Sequence, residues 1–399
     1  MHKAPSKQID SAVVTLGWVS FLTDVASEMI YPLLPGFLTR TLRAGPAALG
    51  LIEGTAEATA SVTKMVSGWW SDRLRRRKPL IVLGYAIAAV ARPLVGLASV
   101  WTQVLAIRFA DRLGKGIRTS PRDALVADLV PPERRGRAFG LQRAMDNAGA
   151  LVGPLVAALL LKFAVEDTRT VFLLAFVPGA AAVLLLLWRV PEPMGSALKT
   201  CIISPEPPAA GAPLPASFRS AIPVFVLFTL ANSTDAFLLL RARDAGVEPW
   251  QIPLLWSLFH LVKAAAGVPG GALADRLGRV PAIALGWSVY ALSYLGFAFA
   301  TGPRAIWGLF AFYALHAALT EGPERALVAD LVPPERRGRA FGIFHASVGL
   351  AALPASLLFG LWWKLFGAPA AFGIGAAIAA LATAALFLWS GRMNRAAAE

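Results

Sequence analysis

Five cations recur along one short stretch, RFADRLGKGIRTSPRD (108–123): Arg108, Arg112, Lys115, Arg118 and Arg122. Steps of four, three, three and four residues project all five from one side of a helix. A stripe of this kind suits carboxylate or phosphate groups, and Asp111 and Asp123 flank it. Acids gather in two other places: Asp24 and Glu28 stand one helical turn apart, and Glu53, Glu57 and Lys64 share a helical face. A carboxylate that is alternately desolvated and paired with a cation can take up and release a proton.

The elements that hold these residues are apolar. Hydrophobic residues form 56% of the 399-residue chain, charged residues 16%, and the mean hydropathy is +0.60. Windows such as VFLLAFVPGAAAVLLLLW (171–188) and APAAFGIGAAIAALATAALFLWS (368–390) are uncharged, and roughly 18–20 such residues cross a bilayer as a helix. The pattern predicts an all-α membrane protein of about twelve spans, near 11–38, 46–71, 79–99, 102–128, 137–162, 168–190, 219–240, 249–274, 280–301, 304–330, 338–365 and 369–391. The first span lacks a preceding basic n-region and small-residue cleavage site, so it reads as a retained helix. Residues 191–218, rich in Pro, Ala and Ser, read as a linker. It separates an N-terminal six-helix bundle (1–190) from a C-terminal one (219–399).

Charge placement orients the bundle and excludes other classes. The net charge of +14 comes largely from loops between spans, such as DRLRRRKP (72–79) and two copies of PPERRGR. Lys and Arg concentrate on the cytoplasmic side, which puts both termini inside. A nucleic-acid binder would interleave basic stretches with polar sequence, and these are separated by hydrophobic spans. The single cysteine, Cys201, leaves no intramolecular disulfide or cysteine-based metal cluster. No P-loop, H-E-x-x-H or G-x-S-x-G in a strand context occurs, so ATP is not a direct energy source, and neither cofactor nor metal is expected.

Two internal repeats fix the family resemblance. The seventeen residues ALVADLVPPERRGRAFG stand at 124–140 and again at 326–342, an offset of 202, each between an even-numbered span and the next. GWWSDRLRR (68–76) likewise precedes GALADRLGR (271–279) by 203 residues. The chain resembles the major facilitator superfamily of secondary transporters, whose signature loop G-x-x-x-D-R-x-G-R follows spans 2 and 8. The first copy departs from it with Arg75 where Gly278 stands in the second. The resemblance implies two pseudo-symmetric bundles, alternating access, monomeric function and a latch on the cytoplasmic side. Asp72, Arg73, Arg76 and Asp128, with Asp275, Arg276, Arg279 and Asp330, would form that latch, holding the halves together while the transporter is open outward. Asp72 would meet the start of span 11 near Gly338, Asp275 the start of span 5 near Gly136, while Arg76 and Arg279 pair with Asp128 and Asp330.

Gly140, Gly149, Gly153 and Pro154 follow the spacing G-x8-G-x3-G-P, which resembles the antiporter motif of proton-coupled exporters; Ala157 and Ala158 stand where it ends in Gly-Gly. Intramembrane charge is costly unless paired or hydrated. Part of it, with Arg92, Asp111, Arg108 and Arg143 as candidates, is expected to form a structural framework. Counted from the cytoplasmic ends at about 1.5 Å per residue, Asp24 lies level with Lys115, and Glu28 with Arg112. Arg112, Lys115, Arg118 and Arg122, with Tyr31, Asn232, Glu321 and Glu324, are the expected substrate-binding residues. The second half presents Ala317, Thr320, Glu321 and Glu324 opposite the stripe, so an anionic wall is expected to face a cationic one. Asp24, Glu28, Asp235, Glu53 and Glu57 are the expected proton carriers, assisted by His260, Lys263 and His316.

These readings converge on a proton-coupled exporter of a small anionic or zwitterionic organic solute or drug in a bacterial inner membrane. An importer of an organic anion is the nearest alternative; a lipid-modifying enzyme or a sensor on the same scaffold is a different class. The charged pattern DRLGKGIRTSPRDALVAD (111–128) also resembles a subgroup of prokaryotic permeases.

Overall fold

The computed structural model describes residues 11–74, 77–131, 134–190 and 213–398. Residues 191–212 of the expected linker and Arg76 lie outside these, as do the side chains of Asp72 and Arg73. The first half comprises α1 (Ser11–Thr41), α2 (Pro46–Leu74), α3 (Lys78–Leu97), α4 (Trp101–Leu129), α5 (Arg135–Phe163) and α6 (Thr168–Arg189). The second comprises α7 (Ala216–Asp244), α8 (Ile252–Leu277), α9 (Arg279–Phe299) and α10 (Pro303–Asp330), followed by the 62-residue run Arg337–Ala398. Straight, that run would measure about 93 Å, some three times the hydrocarbon thickness. Gly367, at φ 84° and ψ 167°, divides it into α11 (337–366) and α12 (368–398), using backbone freedom that only glycine has cheaply.

Among the described residues, eight helical runs are long and apolar enough to cross a membrane, Arg337–Met393 counting once. The helices that do not qualify are α2, α4 and α10, which carry most of the charge inside the bundle. Their membrane position therefore comes from their neighbours rather than from their own hydropathy.

Internal symmetry extends to individual contacts. A Cβ on Gly84 would lie 2.7 Å from Arg118 Cβ, and one on Gly286 would strike Thr320; both members of that contact are 202 residues apart. Arg135 Nε donates to Ala127 O at 3.3 Å, and Arg337 Nε to Ala329 O at 3.2 Å. The loops that carry the repeat lie on one end of the bundle, hereafter the basic face.

The halves meet along two seams. On one, α2 packs on α11 through glycines: a Cβ on Gly54 would lie 3.0 Å from Leu353 Cα, one on Gly360 3.0 Å from Ala47 Cα, and Gly349 abuts Ser61. On the other, Ser257 of α8 donates to Leu151 O of α5 at 3.1 Å. Away from the basic face the halves are closed. Trp256 Nε1 donates to Glu28 at 2.7 Å, the Tyr31 and Thr234 hydroxyls lie 3.3 Å apart, and the Tyr31 and Trp256 rings are 5.2 Å apart.

One element departs from expectation. Residues 219–240 read as a single span, yet α7 unwinds between Ala231 and Ala236, with Asn232 at φ −84° and ψ 77°. Hydroxyl groups replace the lost helical bonds: Tyr290 donates to Ala231 O at 2.8 Å, Thr234 N to Ser356 Oγ at 3.2 Å, and Ser233 meets Tyr294 at 3.1 Å.

Candidate functional site

The interior charges divide into a closed network and an open cavity. In the network, Arg108 holds both oxygens of Glu53 at 2.9 and 2.8 Å, and Arg92 holds Asp111 at 2.9 Å. Arg108 also reaches Asp111 at 3.4 Å, and Arg112 lies 3.9 Å from it. Glu53, Arg92, Arg108, Asp111 and Arg112 are all buried. Breaking such a pair strands its partner's charge in a dry interior, so the network fixes the register of α2, α3 and α4.

The cavity, with a free space of about 1750 Å³, runs from Asp24 to residues beside the repeated loops on the basic face. Seven cations line it (Lys64, Lys115, Arg118, Arg122, Arg143, Lys263 and Arg325), against three acids, Asp24, Asp123 and Asp146. Arg122 bonds Asp123 at 2.9 Å and lies 3.8 Å from Asp146, so those acids are largely committed. Lys64, Lys115 and Arg118 have no carboxylate within 4 Å among the described residues. Lys115 is exposed although it lies midway along α4. Arg118 is 5% exposed, lies over the Tyr85 ring at 4.3 Å, and has an Nη1 without a hydrogen-bond partner. Asp24 is an electrostatic neighbour of Lys115 and Arg118, the level that the residue count gives it.

The spacing of α5 has a physical reason here. A Cβ on Gly149 would lie 2.9 Å from Asp24 Cβ, and one on Gly153 2.9 Å from Glu28 Cβ. Close backbone approach of this kind is what small residues provide in membrane helices. These two glycines seat α5 on the α1 backbone at the roots of its two acidic side chains. Gly140 has nothing within 4 Å of a Cβ, and Pro154 is buried within the helix.

The Major Facilitator Superfamily model matches residues 16–200 and 216–398, one stretch for each half. The chain belongs to the Major Facilitator Superfamily. An MFS-type transporter of Methanocaldococcus jannaschii is 33% identical over 369 residues, 90% of each chain. The multidrug resistance protein MdtH of Salmonella arizonae is 22% identical over 349 residues, covering 86% of this chain and 81% of that one. A crystal structure of a bacterial homolog of the human lysosomal transporter Spinster, inward-facing and occupied, superposes with a TM-score of 0.75 at 16% identity, over 95% and 96% of the two chains. The protein is thus a multi-pass MFS transporter with the MFS fold.

Several expected site residues of this MFS transporter stand elsewhere than the sequence suggested. The second half does not oppose the stripe with an anionic wall. Glu321 is held by Lys263 and lies 3.6 Å from Arg143 across the interface, beside a side slot of the cavity; Glu324 accepts from Trp287 Nε1 at 2.9 Å. His260, Lys263, Arg325 and His345 face the cavity instead, so both walls are basic. Arg143, expected in the structural framework, is exposed on the cavity wall. Arg112 sits in the buried network with Glu53, while Glu57 is exposed and within electrostatic reach of Arg112 and Lys115. Tyr31 and Glu28 belong to the closed end, Asp235 accepts from Tyr313 at 2.6 Å, and Asn232 caps the unwound turn of α7. His316 is buried against Gly286 O, and Thr320 bonds His316 O.

At the basic face, Arg279 pairs with Asp275 and lies 3.6 Å from Asp330, all within the second half. Asp275 is thus engaged within the second half, and a Cβ on Gly136 would meet nothing within 4 Å; the expected latch belongs to the state closed on this face, whereas here the cavity opens there. In the first half Asp128 bonds Arg77 at 3.0 Å; its expected partner Arg76 lies outside the described residues. Arg276 makes no ion pair within 4 Å among the described residues. Gln142, Asn147, Arg325 and His345 were missed as cavity residues. Arg325 had a legible signal, since it directly precedes the repeated loop at the mouth.

Proposed function

We propose that this transporter is a proton-coupled exporter of a small zwitterionic or anionic organic solute, working by alternating access as a monomer. The basic face would be cytoplasmic, because Lys and Arg gather there, with both termini on that side; the cavity is then open inward. The observation that carries the reading is the convergence of seven cations on one cavity in which Lys115 and Arg118 lack acidic partners. Those two would hold the cargo's oxyanion. Asp24, beside them, would carry the proton, with Asp235, Glu28 and Glu57 as further carriers; Glu53 would be structural, because Arg108 clamps it.

The sign of coupling follows from cargo charge. A cationic group of a zwitterion would pair with Asp24 and compete with its proton, which gives antiport. An anion without such a group favours a proton on the adjacent carboxylate, so the two would move together. The excess of cavity cations is the observation that favours the alternative, in which an inward proton gradient would drive import of a pure anion. Export is supported by the α5 glycines against α1 and by similarity to MdtH, a multidrug resistance protein. In proteoliposomes with an imposed pH gradient, Asp24→Asn should abolish gradient-driven uptake or efflux while leaving counterflow exchange intact. Full gradient-driven transport in Asp24→Asn would remove Asp24 from the mechanism.

A further inference from the structure

We infer that the cargo is a single-chain amphiphile, with an oxyanion head on Lys115 and Arg118 and a hydrocarbon tail in a slot between α5, α8 and α10. This rests on the anion-binding part of the proposed function. The slot has about 720 Å³ of free space and shares Arg143, Asn147 and Lys263 with the cavity, so the two are continuous. Beyond those residues and Glu321 its walls are apolar and mostly small, chiefly Ala264, Gly267, Gly271, Ala317 and Gly322. Val268 on its rim is 83% exposed, so the slot reaches the flank of the bundle.

Three of the glycines have no packing reason to be there. A Cβ on Gly267, Gly271 or Gly322 would meet nothing within 4 Å, and none has a left-handed backbone. Glycine inside a helix lowers its stability; here it keeps a lane clear. The opposite seam differs: α2 and α11 are in contact from Gly360 to Gly349, where Ser61 closes the gap. The open flank is therefore one-sided.

Charge at the junction suits an anionic head. Glu321, the acid at the slot, is neutralised by Lys263 and Arg143. Further in, the buried Arg118 offers an unpartnered Nη1, and Lys115 has no carboxylate within 4 Å. A water-soluble anion would use the cavity alone and leave an apolar lane unexplained; an alkyl chain uses both.

The test is thermal unfolding of the full-length protein in neutral maltoside micelles with three probes at equal concentration: octyl phosphate, inorganic phosphate and octyl glucoside. Octyl phosphate alone should raise Tm. Gly267→Trp and, separately, Gly271→Leu should weaken that effect at least about tenfold without lowering the ligand-free Tm, since each added Cβ enters open space and glycine is the poorer helix former; Lys115→Gln should remove it. Equal stabilisation by inorganic phosphate, unaffected by Gly267→Trp, would overturn the amphiphile and leave the anion site standing. Octyl phosphate binding that neither slot variant weakens would overturn the slot. No stabilisation by either phosphate would overturn both the inference and the anion reading beneath it.

Discussion

The two halves share a loop letter for letter, yet positions 202 residues apart have opposite chemistry inside. Arg92 and Asp111 form a buried ion pair at 2.9 Å; their counterparts Tyr294 and Tyr313 are rings 6.4 Å apart. Tyr85 lies beneath the Arg118 guanidinium, whereas Trp287 stacks on Phe228 at 4.3 Å and donates to Glu324, the counterpart of Arg122. Arg108 corresponds to Phe310, which packs on Phe297. One backbone contact, Gly84 on Arg118 and Gly286 on Thr320, survives beneath both chemistries. Helix spacing is thus set by glycine and inherited, while side chains are free to diverge. Ion pairs demand a single geometry and strand a charge when broken; stacked rings slide at little cost. The first half is therefore the stiffer reader of charge, and the second the more compliant partner.

The largest effect should separate these two materials. Arg108→Ala leaves Glu53 buried without its two bonds and should cost about 3–5 kcal/mol, seen as loss of folded protein or a steep Tm drop. Tyr313→Phe, which keeps the ring cluster and removes one bond to Asp235, should cost less, about 1.5–3 kcal/mol. Equal losses would end the distinction. Next, Lys115→Gln should reduce transport at least about tenfold, near 1.4 kcal/mol in binding, with Tm unchanged because the side chain is exposed and unpaired. Where the two chemistries touch, Trp256→Phe removes a bond to the Glu28 carboxyl worth about 1.5–3 kcal/mol. It should shift the protein toward opening on the far face, read as faster labelling of Thr234→Cys in a Cys201→Ser background; unchanged labelling would show that the bond does not hold the gate.

Smaller effects lie at the surface. Asp330→Asn should change the ratio of the two states by less than about twofold, because exposed ion pairs contribute little, and its partner Arg279 is one-third exposed. Last comes Asp167, whose carboxyl accepts from Thr170 N at 2.7 Å at the start of α6. That backbone N–H holds the carboxyl below the usual carboxylate range. Its contribution is complete above the ordinary carboxylate pKa and is lost as pH falls through the lowered one. Wild type and Asp167→Ala should therefore differ slightly in Tm at neutral pH and converge in strong acid. The second half has Pro369 at this position, so only the first half should show it.

The helices, the division into halves and the level of Asp24 beside Lys115 were legible because hydropathy and rise per residue report position along an axis. Rotation about the axis was not. Glu321 and Glu324 lie at the expected height, but Lys263 holds one beside the slot and Trp287 holds the other against α9. Arg112 and Lys115 share the side that spacing predicts, yet one is buried on Asp111 and the other exposed. The unwinding of α7 had a local signal that span-length hydropathy masked: TLANSTDAF (229–237) contains neither Pro nor Gly, but Asn232 to Asp235 is a run of four turn-favouring residues. It depends on hydroxyls from α9 and α11, distant in sequence.

The seating of α5 on α1 closes a route as well as a gap. With Gly149 against the Cβ of Asp24 and Gly153 against that of Glu28, the two helix backbones leave no gap at the root of either acid. In this conformation Asp24 is met from the cavity. A proton and a cargo that both used that doorway would have to take turns at it.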